Sequence, residues 1–315
     1  MISERFAFLR QAVAANAALD AAFNLGVLAR LEAGPARPGD LARDCGIGER
    51  GASSLLAVLA GLGIAEISGD GLYHAATGVL GQLDALRTPW AHLADAIRTD
   101  QPVTAGDTVS GASGLYPALV PQLGAMFSTV AERAADHLAA PGLRILDAGA
   151  GAAPWSLALA ARDPQCRVVA LDIPAVIAST RTAVASAGLE AQFHFLEGDL
   201  FTVEYGPEPF DLAIAGNICH LFEERRNHLL LRRLFDALRP GGKLAVLDIL
   251  PAERLDGPLP VALYALGLLL RTSTGRVYPF STFAGWLREA GFELIETTVL
   301  SADLPISLIA ASRPM

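Results

Sequence analysis

The stretch RILDAGAG at residues 144–151 decides the expected fold of the chain. Its first residues predict a buried strand that ends near Asp147, two glycines then predict a tight turn, and PWSLALAA at 154–161 predicts a helix. A strand that turns through glycines into a helix presents backbone N–H groups and a helix N-terminus to a ligand. The stretch therefore predicts a nucleotide-like cofactor site or, alternatively, a tight turn of any doubly wound fold. A dinucleotide fingerprint would have a third glycine where Pro154 stands.

Strands and helices alternate along the rest of this half of the chain. The predicted strands are RILDAG at 144–149, 167–172, 192–199, 210–217 and 243–250, and the predicted helices are about 154–162, 174–187 and 223–239. A further helix near 281–290 precedes two consecutive strands, FELIETTVL and ISLIAASR, which are expected to close the sheet as an antiparallel hairpin. Alternation of this kind is typical of an α/β fold with a parallel doubly wound sheet.

The first hundred residues predict helices followed by a small hairpin. Helical periodicity runs through 1–31, further helices run to about residue 62, and two short strands then flank the turn GDG at 69–71. This order is that of a winged helix, a class of domain that often binds DNA. Acidic side chains outnumber basic ones by 11 to 8 over residues 1–100, whereas phosphate contacts need Lys and Arg. Dimerisation is therefore predicted instead of nucleic-acid binding.

Three parts are expected along the chain. Residues 1–105 are predicted to form the winged-helix dimerisation domain, 106–140 linker helices and a substrate lid, and 141–315 the α/β domain. Within the middle part, a helix at 115–140 is expected to follow DTVSGASG (107–114), whose Gly and Ser content predicts a mobile loop.

Composition bears on location and partners. The chain has 315 residues, a net charge of −9 and 52% hydrophobic residues, but its longest clean apolar run, Val261–Leu270, is ten residues and too short to cross a bilayer. Cys45, Cys166 and Cys219 lie far apart and predict neither a disulfide framework nor a zinc site. A cytoplasmic protein without a membrane partner, a nucleic-acid partner or a metal is therefore expected.

Acidic residues end three of the predicted strands. A carboxylate at Asp172 can accept hydrogen bonds from both ribose hydroxyls of a nucleoside. One at Asp199 can accept from an exocyclic adenine amine, with Leu200 and Phe201 walling the ring. Together with Asp147 these carboxylates would repel a pyrophosphate, but they suit a ligand that carries donors and positive charge. The pattern favours S-adenosylmethionine over NAD or FAD.

His220 follows the fourth strand of this half, at the sheet edge where ligands bind. A histidine there can take a proton from an acceptor hydroxyl while that oxygen attacks a methyl group. Asp248 ends the next strand and can hold the imidazole and stabilise its charged form. His220 and Asp248 are therefore the predicted catalytic residues.

Six segments of the chain follow the motif order of a known family. They are LDAGAGAAPWS (146–156), LDIPAVI (171–177), GDLF (198–201), ICHLFEE (218–224), RPGGKLAVLDIL (239–250) and NLGVLARLEAGPARPGDLARDCGI (24–47). The chain resembles the dimeric class I S-adenosylmethionine-dependent O-methyltransferases of the caffeate and acetylserotonin type, including their bacterial natural-product members. The resemblance implies a Rossmann-like seven-stranded methyltransferase domain, a homodimer formed through the N-terminal domain, S-adenosylhomocysteine as product, and His220 as general base beside Asp248. Residues and resemblance together predict cofactor contacts at Asp147, Gly149, Gly151, Asp172, Ile173, Asp199, Leu200, Phe201 and Asn217.

The chain departs from the family pattern at three places. Val277, in GRVYPF, stands where the family has a second glutamate. Leu221-Phe222 replaces an Asp-Trp pair after the histidine, and Gly216 replaces a lysine. Because one orienting carboxylate is missing, the alternative function is an enzyme that holds the cofactor without consuming it, such as a cyclase, decarboxylase or hydroxylase. A winged-helix regulator that senses the cofactor is a third hypothesis, against which the acidic charge weighs.

The acceptor is expected to bind between the helix that precedes the glycine loop and the segment 261–283. Two arginines in this otherwise apolar wall suit an acidic group on the acceptor. The predicted function is methylation of a hydroxyl, or of an activated carbon, of a small aromatic or polyketide-like metabolite. The predicted acceptor contacts are Tyr116, Met126, Phe127, Tyr264, Leu268, Arg271, Arg276 and Tyr278.

Overall fold

A computed structural model describes residues 2–76, 79–253, 258–301 and 306–315. The chain divides into two compact units, one up to Ala91 and the other from His92 onward. The three-part division at residues 105 and 140 stays a prediction.

The first unit contains helices and one hairpin in the predicted order. Its elements are α1 (Ile2–Asn24), α2 (Val27–Glu32), α3 (Pro38–Asp44), α4 (Glu49–Gly61), β1 (Ala65–Ile67), β2 (Tyr73–Ala75) and α5 (Val79–Trp90). Strands β1 and β2 pair antiparallel, with Glu66 opposite His74. Leu41, Leu56 and Leu59 are fully buried in the core of this unit. The predicted hairpin is therefore confirmed.

The second unit alternates strands and helices. Its helices are α6 (Leu93–Thr99), α7 (Val109–Leu138), α8 (Pro154–Ala160), α9 (Pro174–Ala187), α10 (Glu224–Ala237), α11 (Leu259–Arg271) and α12 (Phe280–Ala290). Its strands are β3 (Arg144–Ala148), β4 (Arg167–Asp172), β5 (Phe193–Glu197), β6 (Phe210–Gly216), β7 (Leu238–Ile249), β8 (Glu293–Val299) and β9 (Ile306–Ser312). Short 3₁₀ turns lie at Glu190–Gln192 and Cys219–Leu221.

These strands form one seven-stranded sheet in the order β5-β4-β3-β6-β7-β9-β8. Strands β3 to β7 are parallel, and β9 pairs antiparallel with both β7 and β8. The parallel doubly wound sheet and its closing antiparallel hairpin are thus confirmed. Strand order reverses between β3 and β6, and ligands of open α/β sheets bind at such a switch point, outside the carboxyl ends of the strands. The glycine loop follows β3 and therefore lies at that point.

Helix α7 begins earlier than the sequence indicated. The Gly/Ser-rich segment was expected to be a mobile loop, but the helix starts at Val109, and the Oγ1 atom of Thr108 accepts a hydrogen bond from the backbone N–H of Gly111 at 3.1 Å. A side chain at position 111 would collide with the carbonyl of Ala105. The expectation was wrong because a threonine cap and a close backbone approach, rather than flexibility, account for these small residues.

Within the part of the chain that the structure describes, no helix is both long enough and apolar enough to cross a membrane.

Candidate active site

The glycine loop turns sharply at the carboxyl end of β3. Gly149 and Gly151 have φ angles of 76° and 57°, in the left-handed region that favours glycine. A Cβ atom at position 149 would lie 3.1 Å from the Cδ1 atom of Ile218, so the space there is also limited. The backbone N–H of Gly151 donates to the Oδ2 atom of Asp172 at 2.8 Å. The loop is therefore tied to the end of β4.

Carboxylates at the ends of β4 and β5 are held by backbone N–H groups. The Oδ1 atom of Asp172 accepts from the N–H of Ile173 at 2.8 Å, and that of Asp199 accepts from the N–H of Phe201 at 2.7 Å. Burial raises the pKa of Asp172 to about 6, although its two backbone hydrogen bonds act in the opposite direction. Each carboxylate keeps oxygen lone pairs for a ligand donor.

One cavity collects eight of the nine predicted cofactor residues. Its lining includes Gly149, Gly151, Asp172, Ile173, Asp199, Leu200, Phe201 and Asn217. Asp147 lies beneath the loop instead, where its carboxylate accepts a hydrogen bond from the hydroxyl of Ser156. Burial raises the pKa of Asp147 to about 7. Asp147 therefore supports the loop from the core, whereas the contacts of the other eight residues with the cofactor stay a prediction.

Two polar atoms in the cavity wall fit a bound ligand. Among the described side chains, the Oδ1 atom of Asn217 and the hydroxyl of Tyr116 are buried without a hydrogen-bond partner, and both residues line the cavity. Buried polar groups are normally hydrogen-bonded, so these atoms are suited to a partner that the protein itself does not supply. With the carboxylates of Asp172 and Asp199, the cavity offers the acceptors that the ribose, amine and ammonium groups of S-adenosylmethionine require.

The replacement of the family's lysine by Gly216 has a steric explanation. A side chain at position 216 would collide with the indole of Trp155, which lines the same cavity. This indole stacks on Phe127, with ring centroids 5.7 Å apart. Trp155 therefore fills the space into which a longer residue at 216 would extend.

His220 lies in the 3₁₀ turn after β6 and is 4% exposed. Its Nδ1 atom is 2.7 Å from the Oδ1 atom of Asp248, and its backbone N–H donates to Oδ2 of the same carboxylate at 3.2 Å. The backbone N–H of Ile249 also donates to Asp248, at 2.8 Å. An ionised carboxylate only accepts hydrogen bonds, so Nδ1 carries the proton and Nε2 is left as the acceptor. A neutral imidazole in this tautomer is ready to act as a base.

The Nε2 atom of His220 is contacted by Tyr264 of α11. The hydroxyl of Tyr264 is 2.6 Å from Nε2, and the two rings meet edge to face with centroids 5.1 Å apart. The guanidinium carbon of Arg271 lies 4.7 Å from the centroid of the Tyr264 ring. Burial raises the pKa of Tyr264 well above its usual value. Of the predicted acceptor residues, Tyr264 thus contacts His220, and Arg271 packs on the ring of Tyr264.

Other predicted acceptor residues divide into two groups. Tyr116 and Phe127 line the cavity. The remaining four residues do not line the cavity. Met126 is 45% exposed, Leu268 is fully buried in the core, and Arg276 is exposed. The hydroxyl of Tyr278 donates to the carbonyl of Phe222. Met126 and Phe127 are neighbours on one helix, so they point to different sides of it. Tyr278 packs against Phe283 and Trp286 in the core of the second unit.

Two charged residues that line the cavity, Arg226 and Asp107, were not predicted from the sequence. The guanidinium of Arg226 lies between aromatic rings, 4.1 Å from the centroid of Phe201 and 4.6 Å from that of Phe222, and donates to the carbonyl of Asp107 at 3.0 Å. The carboxylate of Asp107 accepts from the N–H of Ser273 at 3.0 Å. These contacts join α10, the start of α7 and the segment after α11 at the cavity. The position of Arg226, two residues after the end of the ICHLFEE motif, was the available signal.

Val277 occupies an apolar environment. Its side chain is 8% exposed and belongs to the same hydrophobic cluster as Val261 and Leu268. A carboxylate in that cluster would be costly to bury without a partner. Across the described part of the chain, no three His, Cys, Asp or Glu side chains are grouped so that they could hold a metal ion.

Comparison with known proteins identifies the family of the chain. The pattern of the O-methyltransferase domain family matches residues 90–293. The chain is 28% identical to the 3-hydroxy-5-methyl-1-naphthoate 3-O-methyltransferase of Streptomyces sahachiroi over 89% of this chain and 86% of that protein. It is also 28% identical to the tetracenomycin polyketide synthesis 8-O-methyl transferase TcmO of Streptomyces glaucescens, over 97% and 95% of the two chains.

The fold is shared with solved structures of the same kind. Human N-acetylserotonin methyltransferase in complex with SAM superposes with a TM-score of 0.73 and 24% identity, covering 100% of this chain and 98% of that one.

The relatives give no support to the cofactor-retaining alternative. The chain therefore belongs to the O-methyltransferase family and is an S-adenosylmethionine-dependent O-methyltransferase.

Proposed function

We propose that the chain methylates a hydroxyl of a small aromatic or polyketide-like acceptor, with His220 as the general base. The observation that carries this proposal is the buried His220–Asp248 pair, 2.7 Å apart, at the carboxyl edge of the sheet that holds the cofactor cavity. Relatives that act on a hydroxynaphthoate and on a tetracenomycin intermediate, each aligned over most of its length, support this class of acceptor.

The pair is suited to removing a proton from an acceptor hydroxyl. Asp248 keeps the proton of the neutral imidazole on Nδ1, so Nε2 is the atom that takes up a proton as the acceptor oxygen forms its new bond to carbon. The carboxylate of Asp248 then stabilises the imidazolium. The cofactor, when bound, supplies the methyl group.

The residues that line the cavity position the cofactor and the acceptor relative to each other. In this proposal Asp172 accepts hydrogen bonds from the ribose hydroxyls of the cofactor, Asp199 accepts from its adenine amine, and Phe201 forms a wall beside the adenine ring. Alignment of two reactants in a closed site contributes a large part of the rate enhancement of such a transfer. The unpartnered hydroxyl of Tyr116 gives the acceptor side of the cavity a polar contact.

We also propose that the protein is a cytoplasmic homodimer assembled through its first unit. Phe6, Leu9 and Val13 lie on one face of α1 and are 69%, 57% and 70% exposed. An apolar helix face of this kind is typical of a surface that a partner covers. Cys45, Cys166 and Cys219 are all free, which supports a reducing location.

The role of His220 is tested with His220→Gln and a panel of hydroxylated naphthoates and polyketides. We expect kcat to fall about 10²–10⁴-fold, because a positioned base contributes that much, while the calorimetric Kd for the cofactor stays unchanged. His137→Gln on the exposed side of α7 is the matched control and is expected to keep the wild-type kcat. A His220→Gln enzyme with the wild-type rate would disprove the assignment.

A further inference from the structure

The Nε2 atom of His220 has one lone pair that can accept a proton, and this lone pair already accepts a hydrogen bond. Because Nδ1 carries the proton that faces Asp248, Nε2 accepts, and the hydroxyl of Tyr264 at 2.6 Å is the donor. An acceptor hydroxyl cannot use the same lone pair while Tyr264 is there. Direct proton transfer from the acceptor to His220 therefore conflicts with the observed arrangement.

Tyr264 is more exposed than the histidine that it contacts. His220 is 4% exposed, whereas Tyr264 is only partly buried. The hydroxyl of Tyr116, which lines the cavity, contributes to the electrostatic environment of Tyr264, as does the Arg271 guanidinium over its ring. Gly106, another cavity residue, donates its N–H to the carbonyl of Arg271 at 2.8 Å. The end of α11 is thus attached to the cavity wall, and Tyr264 stands on the same helix.

We propose that Tyr264 is a catalytic residue that relays the acceptor's proton to His220, an inference that rests on the proposed function. The proton of the acceptor hydroxyl passes to the oxygen of Tyr264 as the proton of Tyr264 passes to Nε2 of His220. An electron pair of the acceptor oxygen forms the bond to the methyl carbon, and the carbon–sulfur bond breaks with its electron pair staying on sulfur. The sulfonium charge is lost, and the positive charge ends on the imidazolium beside Asp248.

A relay of this kind needs a tyrosine hydroxyl that donates its own proton to His220 and accepts the proton of the acceptor at the same time. Burial raises the pKa of the Tyr264 hydroxyl far above neutral pH, so the group stays protonated and never has to exist as a free phenolate. The tyrosine oxygen keeps acceptor capacity while its O–H donates to His220. The nearby positive charge of Arg271 stabilises any negative charge that develops on this oxygen during the transfer.

Tyr264→Phe removes the hydroxyl and preserves the ring. We expect kcat to fall about 10²-fold or more, with the Kd for the cofactor unchanged. In mixtures of light and heavy water, the simultaneous transfer of two protons is expected to give the wild-type enzyme a curved dependence of kcat on the deuterium fraction. The variant, in which only one proton is transferred, is expected to give a straight line. Tyr278→Phe removes another buried phenolic hydroxyl, one that donates to the backbone carbonyl of Phe222 instead of contacting His220, and is expected to keep the curved dependence.

A measurement without catalysis complements the kinetics. In the cofactor-free protein, nitrogen NMR of His220 is expected to show a proton on Nδ1 in both wild type and Tyr264→Phe, and a shifted Nε2 signal in the variant alone. An unshifted Nε2 signal would contradict the hydrogen bond on which the relay depends.

Different results would overturn the relay and the proposed function. A straight dependence or no solvent isotope effect in the wild type, or a Tyr264→Phe enzyme that is as fast as wild type or faster, would show that Tyr264 is a bystander or blocks the base. His220 could still be the base in that case, since His220→Gln would remain slow. The proposed function itself fails if the wild-type protein methylates no hydroxyl or if His220→Gln is fully active.

Discussion

The Asp172 carboxylate lines the cofactor cavity and accepts two backbone hydrogen bonds, from Gly151 and Ile173. The first of these comes from the glycine loop, and we propose that the carboxylate also accepts from the ribose hydroxyls of the cofactor. The ionised form is the better acceptor, and its pKa of about 6 in the free protein is raised by burial. As the pH falls through about 6 the carboxylate becomes protonated, so cofactor affinity is expected to weaken there and to be constant above it.

Asp172→Asn tests this residue directly. Hydrogen bonds to a charged group contribute about 1.5–3 kcal/mol, so we expect a Kd for the cofactor raised about 10- to 100-fold and a loss of the weakening near pH 6. Isothermal titration from pH 5 to 8 measures both effects. Asp236→Asn, on an exposed part of α10, should bind as wild type does. Equal affinity of Asp172→Asn and wild type would exclude Asp172 as a cofactor contact.

The sequence predicted the positions of some site residues but not those of others. Asp172 and Asp199 were predictable because parallel strands bring their carboxyl ends to one edge of the sheet. Asp147 also ends a strand, yet its side chain points into the core and bonds Ser156, a choice of side that strand-end position does not determine. The contact between Tyr264 and His220 joins residues 44 apart in the chain, and no local pattern encodes such a contact.

At the level of elements, β6 and α8 are fitted to each other through Gly216 and Trp155. The glycine ends β6, and the indole of the neighbouring helix takes the space beside it. The sequence showed that Gly216 stands in place of the family's lysine, but it did not show that Trp155 fills the space beside it. Packing partners on different elements become visible only when the sheet order is known.

Gly216→Ala is expected to destabilise the fold. Its Cβ would overlap the indole, and overpacking a core costs about 1–3 kcal/mol, which lowers the melting temperature in a calorimetric scan. Adding Trp155→Leu should recover part of the loss, because residues in contact are not additive. Gly285→Ala in α12, where a Cβ meets open space, is the control and should be neutral or stabilising. A Gly216→Ala protein as stable as Gly285→Ala would rule out this packing.

The sequence predicted the ends of helix α9 but missed the start of helix α7. Helix α9 was predicted at its observed bounds, 174–187, since Pro174 begins it and Gly188 ends it in the left-handed region. The start of α7 was missed because a Gly/Ser-rich composition favours a loop, whereas the cap at Thr108 acts locally and overrides composition.

The whole molecule is expected to be a dimer held by the exposed apolar face of α1. Leu9→Glu places a charge in the centre of that face and is expected to give a monomer in sedimentation velocity, with an unchanged circular dichroism spectrum. Gln11→Glu introduces the same charge on another side of the helix and should leave the dimer intact. If the wild type is a monomer, or if Leu9→Glu still dimerises, the first unit has a different role.

The central claim is that the protein transfers a methyl group to an acceptor hydroxyl. The most direct measurement uses cofactor labelled in its methyl group and counts the labelled product and S-adenosylhomocysteine in the same reaction. We predict equal amounts of the two, with the label on an oxygen of the acceptor, and a proportional loss of both in His220→Gln. Acceptor conversion without S-adenosylhomocysteine, with the label still on the cofactor, would contradict the claim.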